Sequence, residues 1–342
     1  MVNVVVNGIG AIGKRVAHAV KLQKDMNLVG ISDVAATFVL RTVLEPKGPL
    51  YGTPLYCSLP EKLEEMRGAG MIVEGTLEDL LKSGEVDLVV DAAPAGIEKY
   101  NKPLYEKYGV KAIFQGGAKH ELTGVSFNSL ANYKEVWGKD YVRVVSCNTT
   151  SLIRTIYPLM EKRGIEEVVA SLVRRAVDPW NPNKGPINAI VPVMKVPSHH
   201  GPDVKSVIPE LNIKTLAVKV PTTLAHVHVV HGKLKEDVER DEILELFRST
   251  PRVLVLRAAD GYSSTAEVIE RFRDLCRPRY DMYEVVVWEE TVSSEGSEVF
   301  WSHAVHSEAI VIPENIDCIR AMMEMEEDNL ESIRKTDKAL GY

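Results

Sequence analysis

No stretch of the 342-residue sequence stays apolar for the length of a membrane-spanning helix, and no long run of lysine and arginine interrupts it. The first absence removes helical membrane spans. The second, with 41 basic against 48 acidic residues and a formal net charge of -7, argues against nucleic acid or an anionic membrane as the main partner. Cysteine is scarce: Cys57, Cys147, Cys276 and Cys318 lie far apart with no Cys-x-x-Cys pair. Neither a zinc site nor a disulfide framework is implied, and no metal is expected. The opening Met-Val-Asn-Val-Val-Val-Asn-Gly lacks the charged start and long apolar stretch of a secretion signal, so a cytoplasmic location is expected. Internal repeats and low-complexity tracts are absent too. What is present, 45% apolar and 26% charged residues, is the profile of a globular protein long enough for two domains.

Residues 2–6 form a Val-rich run of the kind buried on both faces of a parallel sheet. Glycines follow at once, and then a helical pattern over 12–24, with Val16, Ala19 and Val20 on one face. Further short apolar runs occur at 28–32, 86–91, 110–114 and 141–146, with a helical segment near 97–107. Strands alternating with helices predict a parallel sheet wound on both faces. The character changes after residue 165. Runs at 167–176, 216–234, 252–258 and 282–292 are longer and alternate more, as antiparallel strands do. Helices are predicted at 241–249 and 264–276, the second opened by a Ser264/Glu267 capping box, and a closing helix at 313–338. Residues 178–209, rich in Pro, Asn, Gly and His, read as a long functional loop.

Gly8-Ile9-Gly10-Ala11-Ile12-Gly13 is a G-x-G-x-x-G triplet placed directly after a strand and at the start of a helix. Alone the triplet is weak and fits a tight turn with no ligand. In this setting each glycine has its own role, Gly8 in the turn, Gly10 in the approach of a pyrophosphate and Gly13 in close helix–strand packing. The helix N-terminus offers N–H groups to the phosphates. Asp33, after the second strand, suits the ribose 2′-OH of NAD and repels the 2′-phosphate of NADP, although Lys14 and Arg41 are placed to neutralise one. NAD is therefore expected, with NADP kept open.

Midway, Ser146-Cys147-Asn148-Thr149-Thr150 sits where a buried strand ends and a helix begins. A thiol there is expected to ionise more readily, because helix N–H groups favour the thiolate, and the same groups suit an oxyanion on an attacked carbonyl. An inert buried cysteine is the bland alternative. The other three cysteines read as structural.

Taken together, the Asn-Gly-x-Gly-x-Ile-Gly start, Ser-Cys-Asn-Thr-Thr at 146–150, Lys-Gly-Pro-Ile-Asn-Ala-Ile-Val-Pro at 184–192, Pro-Ser-His-His-Gly-Pro-Asp at 197–203, Pro-Thr-Thr-Leu-Ala-His-Val-His at 221–228 and Glu-Ala-Ile-Val-Ile-Pro-Glu-Asn-Ile-Asp at 308–317 resemble the archaeal branch of glyceraldehyde-3-phosphate dehydrogenase. The resemblance spans nearly the whole chain. Two positions depart from it: most archaeal members carry a basic residue near Asp33, and a glutamine where His303 stands.

A nucleophilic thiol works best beside a base. His199, His200, His226, His228 and His231 are candidates, and alternation puts His226 and His228 on one strand face with His231 out of phase. The residues do not choose among them; the resemblance picks His226 as general base and acid. A phosphorylated substrate needs cations, and Arg174, Arg175, Lys184, His199 and His200 are the candidate cluster, with only one of the adjacent arginines expected to enter the site. The resemblance further implies that His199 and His200 lie at the substrate phosphate, that Ser146, Asn148 and Thr149 hold the reacting end, and that Ala11, Ile12, Gly117, Arg175 and His303 lie near the cofactor.

The resulting expectation is an α/β protein: a Rossmann dinucleotide-binding domain over 1–146, joined by a C-terminal helix from 305–342, and an α+β catalytic domain over 147–304 with a mixed, largely antiparallel sheet. The resemblance implies a homotetramer that converts glyceraldehyde 3-phosphate and inorganic phosphate to 1,3-bisphosphoglycerate through a Cys147 thioester, in glycolysis or, reversed, in gluconeogenesis. Competing readings are a semialdehyde or acyl-phosphate dehydrogenase of the same architecture, whose substrates carry a carboxylate in place of the distal phosphate, and a nucleotide-binding protein that has lost catalysis.

Overall fold

A computed structural model describes residues 1–115, 117–181 and 184–342. It comprises two compact units, residues 1–146 with 312–342, and residues 147–311. The stretch 305–311, expected with the C-terminal helix, belongs to the second.

The first unit begins β1 (Val2–Asn7), α1 (Gly13–Leu22), β2 (Met26–Asp33), α2 (Phe38–Leu44), β3 (Leu55–Cys57), α3 (Leu63–Gly68), β4 (Gly75–Thr76) and α4 (Leu77–Lys82). It continues β5 (Leu88–Asp91), α5 (Glu98–Tyr108), β6 (Lys111–Phe114), β7 (Ser126–Phe127) and β8 (Tyr141–Val144). All eight strands run parallel in the order β4-β3-β2-β1-β5-β6-β8-β7. Val4, Val5 and Val6 have no exposed surface, which is why β1 reads as a continuous apolar run. The chain fills the sheet on one side of β1 and then returns with β5 on the other. That switch point, at the carboxyl ends of β1 and β5, is where open α/β sheets bind ligands. Asn7, the last residue of β1, ties the switch together: its Nδ2 donates to Tyr105 Oη at 3.1 Å, and its Oδ1 accepts from Ser32 and Ser58. Tyr105 in turn donates to Asp91 at 2.9 Å.

The second unit holds α6 (Cys147–Arg163), β9 (Ile165–Arg175), β10 (Val191–Pro192), α7 (His200–Lys205), β11 (Ile213–Val220), β12 (His226–Leu234), α8 (Arg240–Ser249), β13 (Val253–Leu256), α9 (Thr265–Asp274), β14 (Val285–Trp288), β15 (Ser293–Glu295) and β16 (Glu298–Val305). The sheet order is β10-β11-β9-β12-β16-β14-β13, with β15 against β16. Two pairs, β9 with β11 and β13 with β14, are parallel and the rest antiparallel, so the sheet is mixed and largely antiparallel. Burial along β12 alternates residue by residue, placing His226 and His228 on the packed face. The run predicted over 216–234 is two strands, because Pro221 and the two threonines after it turn the chain between β11 and β12. The loop predicted over 178–209 contains β10 and α7. The Ser264/Glu267 capping box forms, with the Ser264 N–H donating to the carboxylate at 2.8 Å.

The single closing helix predicted for 313–338 is two, α10 (Ile312–Met322) and α11 (Asn329–Leu340). Glu324 takes a φ of +55°, and Asp328 then caps a new helix by accepting the Leu330 and Glu331 N–H groups. Every residue of α10 is buried. Its polar side chains are paired accordingly: Glu314 accepts from the Ser129 N–H and hydroxyl at 2.7 Å each, and Arg320 reaches Asp25 at 2.8 Å.

Candidate active site

In the first unit, the glycine turn is built as a cradle that tolerates no side chain at two of its three points. A Cβ on Gly13 would lie 1.8 Å from the Gly8 carbonyl oxygen, and one on Gly8, whose φ is +89°, would meet the Ala92 backbone at 3.0 Å. Around Gly10 the space is open, with nothing within 4 Å of where a Cβ would stand. Close packing behind and open backbone in front is what a pyrophosphate approaching the α1 N-terminus requires. No side chain caps that terminus at Ile12, and Ala11 uses its carbonyl to accept from Arg15. Asp33 closes the turn from β2, accepting the Ile9 N–H at 2.8 Å and its neighbour Val34 at 2.7 Å. Gly117, beyond β6, takes a φ of +124°. Arg41 donates to the Ala36 and Ala69 carbonyls. These residues fit a dinucleotide.

In the second unit, Cys147 is the first residue of α6 and stays partly open to solvent. Its Sγ lies 3.7 Å from His226 Nε2, on the first residue of β12, and 3.5 Å from the Ser307 hydroxyl. They line a cavity of about 240 Å³ together with Arg174, Arg175, Ala176, Val177, Asp178 and Asn181. Cavities of about 630 Å³ occur in the first unit, one beside Arg41 and Tyr51 and one beside Gln23 and Arg320, but neither contains a cysteine or histidine. The smaller cavity is where the chemistry is concentrated.

The thiol differs from the expectation in one respect. Burial pushes it up from its ordinary value, and the Ser307 hydroxyl, the Arg174 and Arg175 charges and the Asn148 N–H pull it back only in part. The helix N-terminus is thus one of several stabilising groups acting against desolvation. Burial, and after it the two arginines, hold the His226 imidazole well below its usual value, so the ring is neutral. The Arg175 backbone N–H donates to His226 Nδ1 at 2.9 Å, which leaves the proton of the neutral ring on Nε2, toward the sulfur.

Both arginines reach this cavity, contrary to the expectation that adjacent residues diverge, because β9 ends at Arg175. Their bonding differs. Arg175 is buried and committed to the Val177 carbonyl, to Asp178 at 2.6 Å and to Glu308 at 3.4 Å. The Nε atoms of both Arg174 and Arg175 have no hydrogen-bond partner among the described residues.

Three residues expected at the substrate are buried and braced. Asn148 Oδ1 accepts from His228 Nε2 at 3.0 Å, while its Nδ2 donates to His200 Nε2 at 3.3 Å. Thr149 Oγ1 donates to Asp203 at 2.5 Å. His200 Nδ1 meets Ser198, which meets Thr215. On the far side, His303 Nε2 lies 3.1 Å from His228 Nδ1. An amide oxygen only accepts, so His228 carries its proton on Nε2 and His303 donates to it: the chain runs one way from His303 to Thr215. Burial pushes His200 and His303 down to about 3 and His228 well below its ordinary value. His303 has no exposed surface and is a member of this brace. His199, its ring centroid 4.0 Å from that of His200 and tilted 31° to it, and Lys184 are exposed, and Ser146 is partly buried. Ser307 was not anticipated: it is 160 residues from Cys147 and no spacing signals it.

Comparisons with known proteins bear on this arrangement. The family described as glyceraldehyde 3-phosphate dehydrogenase, C-terminal domain, matches residues 146–294. A glyceraldehyde-3-phosphate dehydrogenase of Thermococcus kodakarensis is 51% identical over 340 residues, covering 99% of this chain and 98% of the relative. Those of Methanothermobacter thermautotrophicus and Methanothermus fervidus are 49% and 48% identical, covering 100% and 98% of this chain and 99% and 98% of their own. Among solved structures, aspartate semialdehyde dehydrogenase II of Vibrio cholerae, complexed with ASA, is similar in fold, with a TM-score of 0.65 at 14% identity, covering 94% of this chain and 98% of that one. Near-complete coverage at about half identity leaves one conclusion: the chain belongs to the glyceraldehyde-3-phosphate dehydrogenase family, oxidoreductases that use a nicotinamide cofactor.

Proposed function

We propose that this chain oxidises D-glyceraldehyde 3-phosphate and, with inorganic phosphate, releases 1,3-bisphosphoglycerate through a thioester on Cys147. The observation that carries the reading is the Cys147–His226 contact at 3.7 Å, at a helix N-terminus and in a cavity lined by two arginines. The sulfur attacks the aldehyde carbon, and the Asn148 N–H, Ser307 and His226 around it stabilise negative charge on sulfur and substrate. Arg174, with an unused Nε, is the cation for a substrate or attacking phosphate, joined by exposed His199 and Lys184. A bound nicotinamide supplies the acceptor for the hydride removed from the aldehyde carbon.

Gly8, Gly10, Ala11, Ile12, Gly13 and Gly117 would hold that cofactor. Asp33 at the mouth of the turn, with Arg41 committed to two carbonyls, favours NAD over NADP. Residues 147–311 form the catalytic domain in this reading. A homotetramer is consistent with the outer face of the second sheet, where Leu216, Val229 and Phe300 stand exposed on three strands. No described helix is long and apolar enough to cross a membrane, and we place the protein in the cytoplasm.

The test is a steady-state assay with glyceraldehyde 3-phosphate, NAD or NADP, with and without phosphate, beside Cys147→Ser. Phosphate-dependent reduction, faster with NAD and lost in the variant, is expected. Phosphate-independent turnover would replace phosphate by water as acceptor, and an inactive wild type would redirect the search to semialdehydes.

A further inference from the structure

Building on the assignment of the glycine turn to a dinucleotide, we infer that Tyr105, on α5, is a positioning residue for that cofactor: through Asn7, its hydroxyl sets the spacing between the turn of Gly8 to Gly13 and the carboxylate of Asp33. The Tyr105 ring belongs to the core, buried and 6.2 Å from Phe114 between ring centroids. The hydroxyl does not. It stands among polar groups at the carboxyl ends of β1 and β5, 2.9 Å from Asp91 and 3.1 Å from Asn7.

A hydroxyl has one hydrogen to give. Asp91 takes it on Oδ2, which also accepts from Asn101 Nδ2 at 2.8 Å, while Oδ1 accepts the Ala93 N–H at 3.0 Å. Three donors converge on this buried carboxylate, so the Tyr105 oxygen is left to accept, and Asn7 presents its Nδ2 to it. The Asn7 carbonyl oxygen then faces the other way and takes the hydroxyl hydrogens of Ser32 and Ser58, at 2.9 and 2.7 Å. Turned over, the amide would set its oxygen against a hydroxyl whose hydrogen is already given. Tyr105 thus decides which way Asn7 faces.

What the amide holds is the frame of the cradle. The Ser32 carbonyl accepts the Gly8 N–H at 2.7 Å, and the Ser58 N–H donates to the Asp33 carbonyl at 2.9 Å. Asp33 in turn accepts the Ile9 N–H on its carboxylate. Behind the turn, the Asn7 carbonyl accepts the Ala92 N–H at 2.8 Å, and it is the Ala92 backbone that a Cβ on Gly8 would meet. The ends of β1, β2 and β5 and the loop after β3 are all registered on one side chain. A dinucleotide meets the turn with its pyrophosphate and Asp33 with its ribose at the same time, so its affinity depends on their separation.

Tyr105→Phe removes the hydroxyl and keeps the ring. Ser58→Ala removes a hydroxyl at the other end of the amide, from a half-buried loop position. Calorimetric titration of the full chain with NAD and with NADP, well below the melting temperature, gives the affinity for the tighter of the two. Each variant is expected to weaken it about five- to tenfold, the worth of one hydrogen bond. Both act through Asn7, so the double variant should bind no more weakly than the worse single one. A lowered melting temperature with affinity within about twofold of wild type, the mark of a purely structural brace, would overturn the inference, and so would losses that multiply in the double variant. Should Tyr105→Phe not fold, Ser58→Ala decides by the same limits. A wild type that binds neither dinucleotide would end the cofactor reading and this inference with it. A wild type that binds, beside variants that bind equally well, would end this inference alone.

Discussion

Asn148 shows how much of the site is spent on holding the nucleophile still. It follows Cys147 directly, is buried, and uses its amide to join His228 to His200. Replacing it with alanine strands an N–H on one ring and a lone pair on the other, each a buried polar group costing about 1–3 kcal/mol. Asn148→Ala is therefore expected to lower unfolding free energy in urea by about 2 kcal/mol or more. A change below about 0.5 kcal/mol, typical of surface positions, would contradict the brace. Side chains next to a nucleophile in sequence suggested substrate contacts, but sequence adjacency carries no information on which way a buried amide points. The residues that face the cavity in its place, Arg174 and Ser307, come from a strand end and a loop remote in the chain.

At the scale of elements, the glycine turn permits a clean contrast between two substitutions. Gly13→Ala puts a methyl 1.8 Å from the Gly8 carbonyl, so the turn must move, at about 1–3 kcal/mol of stability, and dinucleotide binding should fall tenfold or more. Gly10→Ala meets no neighbour and should leave thermal unfolding unchanged while still obstructing the phosphates. Calorimetric titration and unfolding of both variants check this; equal effects on stability would contradict the cradle. The turn was legible because its constraint is local, one strand feeding one helix. So was β12, whose alternating burial writes its two faces into the sequence. Between 34 and 82 little was legible: β3 and β4 have three and two residues, and α3 and α4 six each, too short to show a period. The break before α11 was missed because α10 is buried all round and leaves no amphipathic stripe to end.

For the whole molecule, the buried histidines couple stability to pH. His200, His226, His228 and His303 have folded-state values below the ordinary 6.5, His200 and His303 at about 3. Below pH 6.5 the unfolded chain binds protons that the folded one does not, so stability present above that pH is lost as pH falls toward the folded values. Each such group steepens the loss by up to about 1.4 kcal/mol per pH unit. Urea unfolding should show a marked drop between about pH 6.5 and about pH 5, reduced in His303→Gln; a flat profile there would mean the rings are charged or exposed in the fold.

The measurement closest to the central claim is intact-protein and peptide mass spectrometry after mixing with glyceraldehyde 3-phosphate and oxidised cofactor without phosphate. The account predicts an acyl mass on the peptide containing Cys147, absent in Cys147→Ser and discharged on adding phosphate. Turnover with no adduct on Cys147, or an adduct on Cys57, Cys276 or Cys318 in its place, would contradict it.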